Sequence, residues 1–127
     1  MFKKGQKVTM FHIQPNRDYT ALSVWSRDFE VMSWGAKQGT LSHVVDGKNA
    51  EFRVYTQQAV RPWNGEDVVL TDGLDRDARV HALKLEVVRH QIKFITEERL
   101  TRPTVYNPEL MRKHLANLEI LLAQLTA

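Results

Sequence analysis

The sequence predicts an α+β protein in which a small antiparallel β-barrel is followed by two helices that form an antiparallel hairpin. Nine of the eleven aromatic residues fall within residues 1–63, and aromatic side chains are enriched in strands. Residues 78–100 contain neither Gly nor Pro and carry apolar residues at helical spacing. Leucines then recur every three or four residues towards the C-terminus. We therefore expect a single domain of 127 residues, with the barrel in residues 1–73 and the helical hairpin in residues 74–127.

Short alternating segments in the first half predict strands at 6–13, 20–25, 29–34 and 67–70 and a hairpin at 40–55. Asp46 and Gly47, at the centre of that hairpin, suit the positive φ angles of a tight turn. A further turn is expected at Ser26–Asp28. Five or six closely connected strands in about 70 residues indicate a small barrel or a strongly curved sheet. In general shape this resembles an SH3-like barrel, and residues 2–8 (FKKGQKV) resemble the way in which such barrels enter their first strand.

Residues 78–99 predict a long helix with two apolar stripes on nearly opposite faces. Asp75 or Asp77 is the expected N-cap, because Asp accepts hydrogen bonds from the free backbone N–H groups at that end. Segment 83–87 alternates and is also compatible with a strand, but the length of the uninterrupted pattern favours a helix. One stripe comprises Ala78, Leu85, Val88, Ile92 and Ile95, and the other comprises Val80, Leu83, Val87 and Phe94. Since a surface helix needs only one apolar stripe, we expect the β layer or a second subunit to cover the other.

A second helix is predicted to begin at Asn107, because Asn caps a helix and Pro108 fits its first turn. Its leucine seam provides a surface for another helix, and the short connector favours an antiparallel pair. The residues expected to serve helix packing or oligomerisation are Leu85, Val88, Ile92, Met111, Leu115, Leu118 and Leu122. The two stripes of the first helix leave more apolar surface than one partner helix usually covers, so we expect a homodimer unless the barrel covers the second stripe.

Composition limits the classes of function. The chain carries 18 basic and 15 acidic residues, a net charge of +3, which permits nucleic-acid binding without demanding it. It has no cysteine, which excludes disulfides, thiolate metal sites and cysteine catalysis. The sequence has no apolar run of membrane-spanning length, and its N-terminus does not have the pattern of a secretory signal. We expect a cytoplasmic protein that does not associate with membranes.

Motifs for catalysis or metal binding are weak. Asp77 and His81, and likewise Glu86 and His90, have the i, i+4 spacing of an acid–base or metal-binding pair. Such pairs are more often local charge pairs on a helix surface. The glycine-containing segment 35–40 lacks the residue order of a phosphate-binding loop. We therefore expect no catalytic residue, no metal and no cofactor.

Aromatic and basic residues are interleaved along the predicted strands. Exposed rings among basic side chains provide a stacking surface for single-stranded nucleic acid, and they equally suit a peptide-binding groove. The alternative is that most of these rings fill the core, since a small barrel needs large side chains. The predicted binding residues are Arg17, Tyr19, Trp25, Arg27, Trp34, Lys37, Arg53 and Trp63.

These patterns favour non-catalytic binding, with nucleic acid as the leading ligand and the helices used for assembly. The first alternative is a protein-interaction module, such as an adaptor or an inhibitor of a larger complex, whose binding would persist at high salt. The second is a small-molecule-binding protein or enzyme with its site between barrel and helices. A deep polar pocket holding His43 or His81 beside an acid would mark that alternative.

Overall fold

The computed structural model describes residues 2–45, 47–55, 61–62 and 68–127. It confirms the α+β class, because an antiparallel sheet is followed by two helices. The strands are β1 (Lys7–Pro15), β2 (Leu22–Trp34), β3 (Gln38–Val45), β4 (Lys48–Tyr55), β5 (Arg61–Pro62) and β6 (Val68–Thr71). The helices are α1 (Arg76–Phe94), which continues into a π-helical turn (Ile95–Arg99), and α2 (Pro108–Thr126).

The strand order in the sheet is β5-β4-β3-β2-β1-β6. β3 and β4 form the predicted hairpin, with Leu41 opposite Phe52, although Asp46 of its turn lies outside the described residues. β6 pairs with β1, with Phe11 opposite Val69. β5 and β6 are thus the two edges of the sheet within the described residues. Closure into a barrel is not seen there and stays a prediction.

β2 is one continuous strand where the sequence predicts two. The turn expected at Ser26–Asp28 is wrong, since these residues lie inside β2. Ser and Asp favour turns because their side chains bond to nearby backbone. Here Asp28 instead accepts a hydrogen bond from the Thr9 hydroxyl of β1 at 2.7 Å. Pairing across strands therefore outweighs the local turn preference.

The chain divides into two compact units. The first unit comprises Met1–His12 and Val24–Val80, and the second comprises Ile13–Ser23 and His81–Ala127. The tip of the β1–β2 hairpin therefore belongs to the same unit as most of α1 and all of α2. Whether the whole chain folds as a single domain stays a prediction.

The core of the first unit lies on one face of the sheet. Its buried members are Val8, Met10, Phe29, Val31, Leu41, Val54 and Leu70. Phe2 and Trp34 pack against them, with their rings edge to face and 4.9 Å apart. Gly39 lies opposite Trp34 on β3, and a Cβ atom there would approach the Trp34 ring to 2.6 Å. Trp34 is therefore a packing residue.

A second core unites the helices with the hairpin tip in the second unit. Its buried members are Val88, Ile95, Met111, Leu118 and Leu121. Packed against them are Tyr19, Leu22, Ile92, Leu100, Tyr106, Leu115, Leu122 and Leu125. Of the residues predicted for helix packing or oligomerisation, all except Leu85 belong to this cluster or contact it. Leu85 is partly buried outside it.

The helical interpretation of segment 83–87 is confirmed, because the segment lies within α1. Leu83 and Val87, which belong to the second apolar stripe, are buried within a single chain. These two residues therefore do not require another subunit for their burial, whereas Phe94 of the same stripe is 38% exposed. The homodimer stays a prediction.

α1 begins at Arg76, immediately after Asp75, one of the two predicted caps. The Asp75 carboxylate accepts a hydrogen bond from the Thr71 hydroxyl at 2.8 Å, and its backbone carbonyl accepts from the N–H of Arg79 at 3.0 Å. Asp77 lies in the first turn, where its negative charge interacts favourably with the positive end of the helix dipole.

α2 begins as the sequence predicts. The Asn107 side-chain oxygen accepts hydrogen bonds from the N–H groups of Glu109 at 3.0 Å and Leu110 at 3.3 Å. Pro108 occupies the first helical position, where a missing N–H costs nothing.

Replacing this cap tests its contribution to stability. Asn107→Ala should lower the free energy of unfolding by about 1 kcal/mol, because two N–H groups lose their acceptor. Asn107→Asp is the matched control, since it keeps an acceptor and places a negative charge at the positive end of the dipole. Urea unfolding followed by circular dichroism measures both variants. Equal stability of the Ala and Asp variants would show that the cap does not stabilise α2.

Candidate ligand-binding surface

Alternation along β2 puts aromatic and basic side chains on the face of the sheet that carries the core. Trp25 and Arg27 precede the buried Phe29 in steps of two residues, so all three face the same way. Glu30 of β2 lies opposite Ser42 of β3, and the neighbouring Phe29 and His43 have their rings edge to face at 4.9 Å.

β4 adds a second exposed ring to this face. Phe52 lies opposite the buried Leu41. Its ring centre is 5.5 Å from that of Phe29 and 5.4 Å from that of His43. The core face therefore continues into a group of solvent-accessible side chains. We define the Trp25–Phe52 patch as Trp25, Arg27, His43 and Phe52.

Arg27 is held from two sides within the patch. Its guanidinium carbon lies 4.8 Å from the centre of the Trp25 ring, and its Nη1 is 3.0 Å from His43 Nε2. Trp25 and Phe52 nevertheless remain 42% and 37% exposed. The patch thus combines an oriented cation with two accessible aromatic rings.

The protonation state of His43 follows from its partner. A guanidinium only donates hydrogen bonds, so His43 Nε2 accepts and the ring proton resides on Nδ1. Burial, and then the positive charge of Arg27, lower the pKa of His43 below its ordinary value of 6.5. Nδ1 is buried and has no hydrogen-bond partner among the described residues. At neutral pH, Arg27 is therefore the positive charge of the patch.

This lowered pKa predicts a loss of stability in acid. Well above pH 6.5 His43 is neutral in both the folded and the unfolded chain and contributes no pH dependence. As the pH falls below that value, the unfolded chain binds a proton before the folded chain does, so the free energy of unfolding decreases. The decrease levels off below the folded-state pKa. Denaturant unfolding measures the free energy of unfolding at about pH 7.5 and about pH 5.5. The difference between the two values should be smaller for His43→Gln than for the unsubstituted protein. An equal difference would contradict this account.

An open cleft of about 470 Å³ adjoins the patch, shares Arg27 and His43 with it, and is also lined by the buried Phe29. Lys7 and Glu30 also line the cleft, and their charges pair at 3.3 Å. Asp28 lines the cleft as well and accepts a hydrogen bond from the Thr9 hydroxyl. The cleft is therefore mixed in charge and holds His43 together with two acidic residues, and the small-molecule alternative stays a prediction.

Two further predicted binding residues lie away from the patch within the first unit. Trp34 follows Trp25 by nine residues along β2, roughly 30 Å at the rise of an extended strand, and packs on the core. Lys37 is in the exposed turn between β2 and β3. Trp34 therefore does not form a groove with the predicted basic residues.

None of the remaining predicted binding residues is placed in the patch by the described part of the chain. Arg53 is exposed on β4, and alternation directs it away from the face that carries Phe52. Arg17 and Tyr19 belong to the second unit. Trp63 lies outside the described residues. Of the predicted residues, Trp25 and Arg27 are thus brought together.

His43 and Phe52 were not among the predicted binding residues. The signal that could identify them is the alternation in the β3–β4 hairpin, which places both on the face of Leu41. Their proximity to Arg27 depends on the register between β2 and β3, which the sequence does not specify.

Comparison with protein families, with curated proteins and with solved structures found no match to this chain. Across the described residues, no group of three or more His, Cys, Asp or Glu side chains could hold a metal ion. None of the helices in that part of the chain is long and apolar enough to cross a bilayer.

Proposed function

We propose that the protein is a non-catalytic binding protein and that the Trp25–Phe52 patch binds single-stranded nucleic acid. The observation that carries this proposal is the position of the Arg27 guanidinium, which covers the Trp25 ring and bonds to His43 between two accessible rings. Bases stack on exposed aromatic faces without sequence preference, and a nearby guanidinium attracts the phosphate. Strand faces that carry such rings recognise unpaired bases in several known modules.

The charge of the patch supports a ligand with a polyanionic backbone. Arg27 has no carboxylate within ion-pair distance among the described residues, and neutral His43 does not compete for an anion. Of the nearby acidic side chains, Glu30 pairs with Lys7, and Asp28, which follows Arg27 directly on β2, lies on the opposite face of the strand. Arg27 is therefore the group that a phosphate would meet.

Two finer features complete the proposal. We propose that the sheet curves into the SH3-like barrel expected from the sequence, because its edge strands β5 and β6 are separated only by residues 63–67.

We also propose a homodimer, because Leu110 and Ile120 of α2 are apolar and 45% and 57% exposed. Light scattering should give twice 14.7 kDa at micromolar concentration, and the monomer mass at every concentration would contradict the dimer.

A protein partner is the second candidate function for the same patch. Trp and Arg are the residue types that dominate protein interfaces, and here they are in contact and exposed. Salt separates the two candidates. Binding of nucleic acid weakens steeply with salt because phosphate contacts release counterions, whereas a largely apolar protein interface persists.

Fluorescence anisotropy with labelled DNA and RNA oligonucleotides at several salt concentrations tests the proposal. Trp25→Ala should cost roughly 1–3 kcal/mol of binding free energy and leave the salt dependence unchanged. Arg27→Ala should reduce the salt dependence by about one phosphate's share. The matched control is Arg53→Ala, which removes an exposed cation from the opposite face of β4 and should change affinity much less.

Two outcomes would overturn the proposal. The first is no binding of any oligonucleotide below about 100 µM at low salt, which is weaker than most non-specific binding. The second is equal weakening by Arg27→Ala and Arg53→Ala with no effect of Trp25→Ala. That result would show general attraction to a basic protein without a defined site.

A further inference from the structure

Tyr19, at the tip of the β1–β2 hairpin, has an unusual backbone conformation. Its φ angle is 61°, and it is the one non-glycine residue with a positive φ among those described. Such a conformation is uncommon for an aromatic residue and costs free energy. The tip is tied in place, because Asn16 Oδ1 accepts from the N–H of Thr20 at 2.9 Å and Asn117 Nδ2 donates to the carbonyl of Asp18 at 3.0 Å. The second unit therefore holds Tyr19 in a defined position.

Arg99 contacts Tyr19 from the π-helical turn, a distortion that is frequent at functional sites. Its guanidinium carbon lies 4.9 Å from the Phe94 ring centre and 5.5 Å from that of Tyr106. Its Nη1 donates to the Tyr19 hydroxyl at 3.3 Å. Within the described residues Arg99 has no carboxylate partner, and its buried Nε has no acceptor. The cation is therefore oriented by aromatic rings but is not neutralised.

His114 of α2 contacts the same tyrosine. The two ring centres are 4.7 Å apart. His114 Nδ1 is buried and has no hydrogen-bond partner within the described residues. The carboxylate of Asp18 is close enough for His114 to contribute to the lowering of its pKa, but Asp18 is held mainly by its 2.6 Å hydrogen bond from the Thr20 hydroxyl. Two buried nitrogen atoms without partners thus belong to the two side chains that flank Tyr19.

We propose that Tyr19, Arg99 and His114 form a binding site for a phosphate group. A partly buried cation without a counter-ion is unfavourable, and binding an anion removes that cost. The planar guanidinium matches phosphate oxygens through paired N–H donors, and the rings of Phe94 and Tyr106 fix its plane. The Tyr19 hydroxyl and the His114 ring supply further hydrogen-bonding groups. This site lies in the second unit and does not depend on the function proposed for the Trp25–Phe52 patch.

Nuclear magnetic resonance of the ¹⁵N-labelled full chain tests the site through the Arg99 Nε–Hε signal. Inorganic phosphate and a nucleoside monophosphate are titrated separately, each against chloride at the same ionic strength. The Arg99 signal should move and saturate with a phosphate-bearing probe and should not move with chloride. A response to both phosphate probes would identify the phosphate group itself as the ligand, and a response to the monophosphate alone would identify a phosphate ester.

Substitutions assign the response to these residues. Arg99→Lys removes the Arg99 Nε–Hε signal, so binding to this variant is followed through the backbone amide signals of Tyr19 and His114. Those signals should show no saturable response, because lysine lacks the planar fork. Tyr19→Phe keeps the ring and removes the hydroxyl, and it should raise the dissociation constant about 2- to 10-fold. The matched control Arg102→Lys changes an exposed arginine three residues away and should bind as the unsubstituted protein does. If Arg99→Lys does not fold, Tyr19→Phe decides by the same measurement.

Two results would overturn the site. One is the absence of a saturable Arg99 response to either phosphate probe up to about 10 mM, where even weak specific binding is visible. The other is an unchanged dissociation constant in Tyr19→Phe, together with a loss of phosphate binding in Arg102→Lys as large as that in Arg99→Lys. That pattern would place the anion elsewhere on the basic surface.

Discussion

Leu118→Glu is expected to lower the free energy of unfolding by several kcal/mol, because it places a carboxylate in an apolar core. Leu118 is 0% exposed and belongs to the cluster formed by α1, the π-helical turn and α2. Its buried neighbours in that cluster are hydrocarbon or thioether side chains that offer no partner for a charge. Urea unfolding followed by circular dichroism measures the loss.

Ala116→Glu is the matched control for this substitution. It introduces the same side chain two residues earlier on α2, at an exposed position. Its effect on the free energy of unfolding should stay within about 0.5 kcal/mol. Equal stability of the Leu118→Glu variant and the unsubstituted protein would show that the packing of α2 described here is wrong.

Leu41→Ala should also destabilise strongly, by about 2–5 kcal/mol, because it opens a cavity in the core of the first unit. Leu41 is 0% exposed, whereas Phe52, directly opposite it on β4, is 37% exposed. Phe52→Ala should therefore cost less stability than Leu41→Ala. It should weaken oligonucleotide binding, because it removes a stacking ring from the Trp25–Phe52 patch.

Leu41→Ala and Phe52→Ala together distinguish a side chain that packs in the core from one that binds ligand, at two facing positions of the same hairpin. Denaturant unfolding and anisotropy titrations on both variants provide the comparison. If Phe52→Ala proved as destabilising as Leu41→Ala and left binding unchanged, Phe52 would be a core residue and the patch would lose its second ring.

The helices could be predicted because their signals are local. Asn107 and Pro108 mark the start of α2 within two residues, and the leucine spacing identifies the face that enters the core. The π-helical turn after α1 could not be predicted in this way. Its residues 95–99 continue the apolar periodicity of the helix, and the changed hydrogen-bond pattern is not encoded in that spacing.

The sheet and the candidate sites depended on contacts between distant residues. Ser26–Asp28 has turn composition, and the bond between Asp28 and Thr9 that favours a strand spans 19 residues. Trp25 and Arg27 could be selected because aromatic and basic residues are interleaved along the sequence, although the sequence predicts Arg27 to lie in a turn and not on the strand of Trp25. The bond between Arg27 and His43 depends on strand register, and the bond between Tyr19 and Arg99 spans 80 residues. Neither could be inferred from local spacing.

Ultraviolet cross-linking of the protein to a single-stranded oligonucleotide, followed by mass spectrometry, tests the central claim most directly. We expect adducts on peptides that contain Trp25 or Phe52, and we expect Trp25→Ala to remove the adduct at its position and reduce the other. Adducts restricted to peptides of α2, or adducts unaffected by Trp25→Ala, would contradict the assignment of nucleic-acid binding to the Trp25–Phe52 patch.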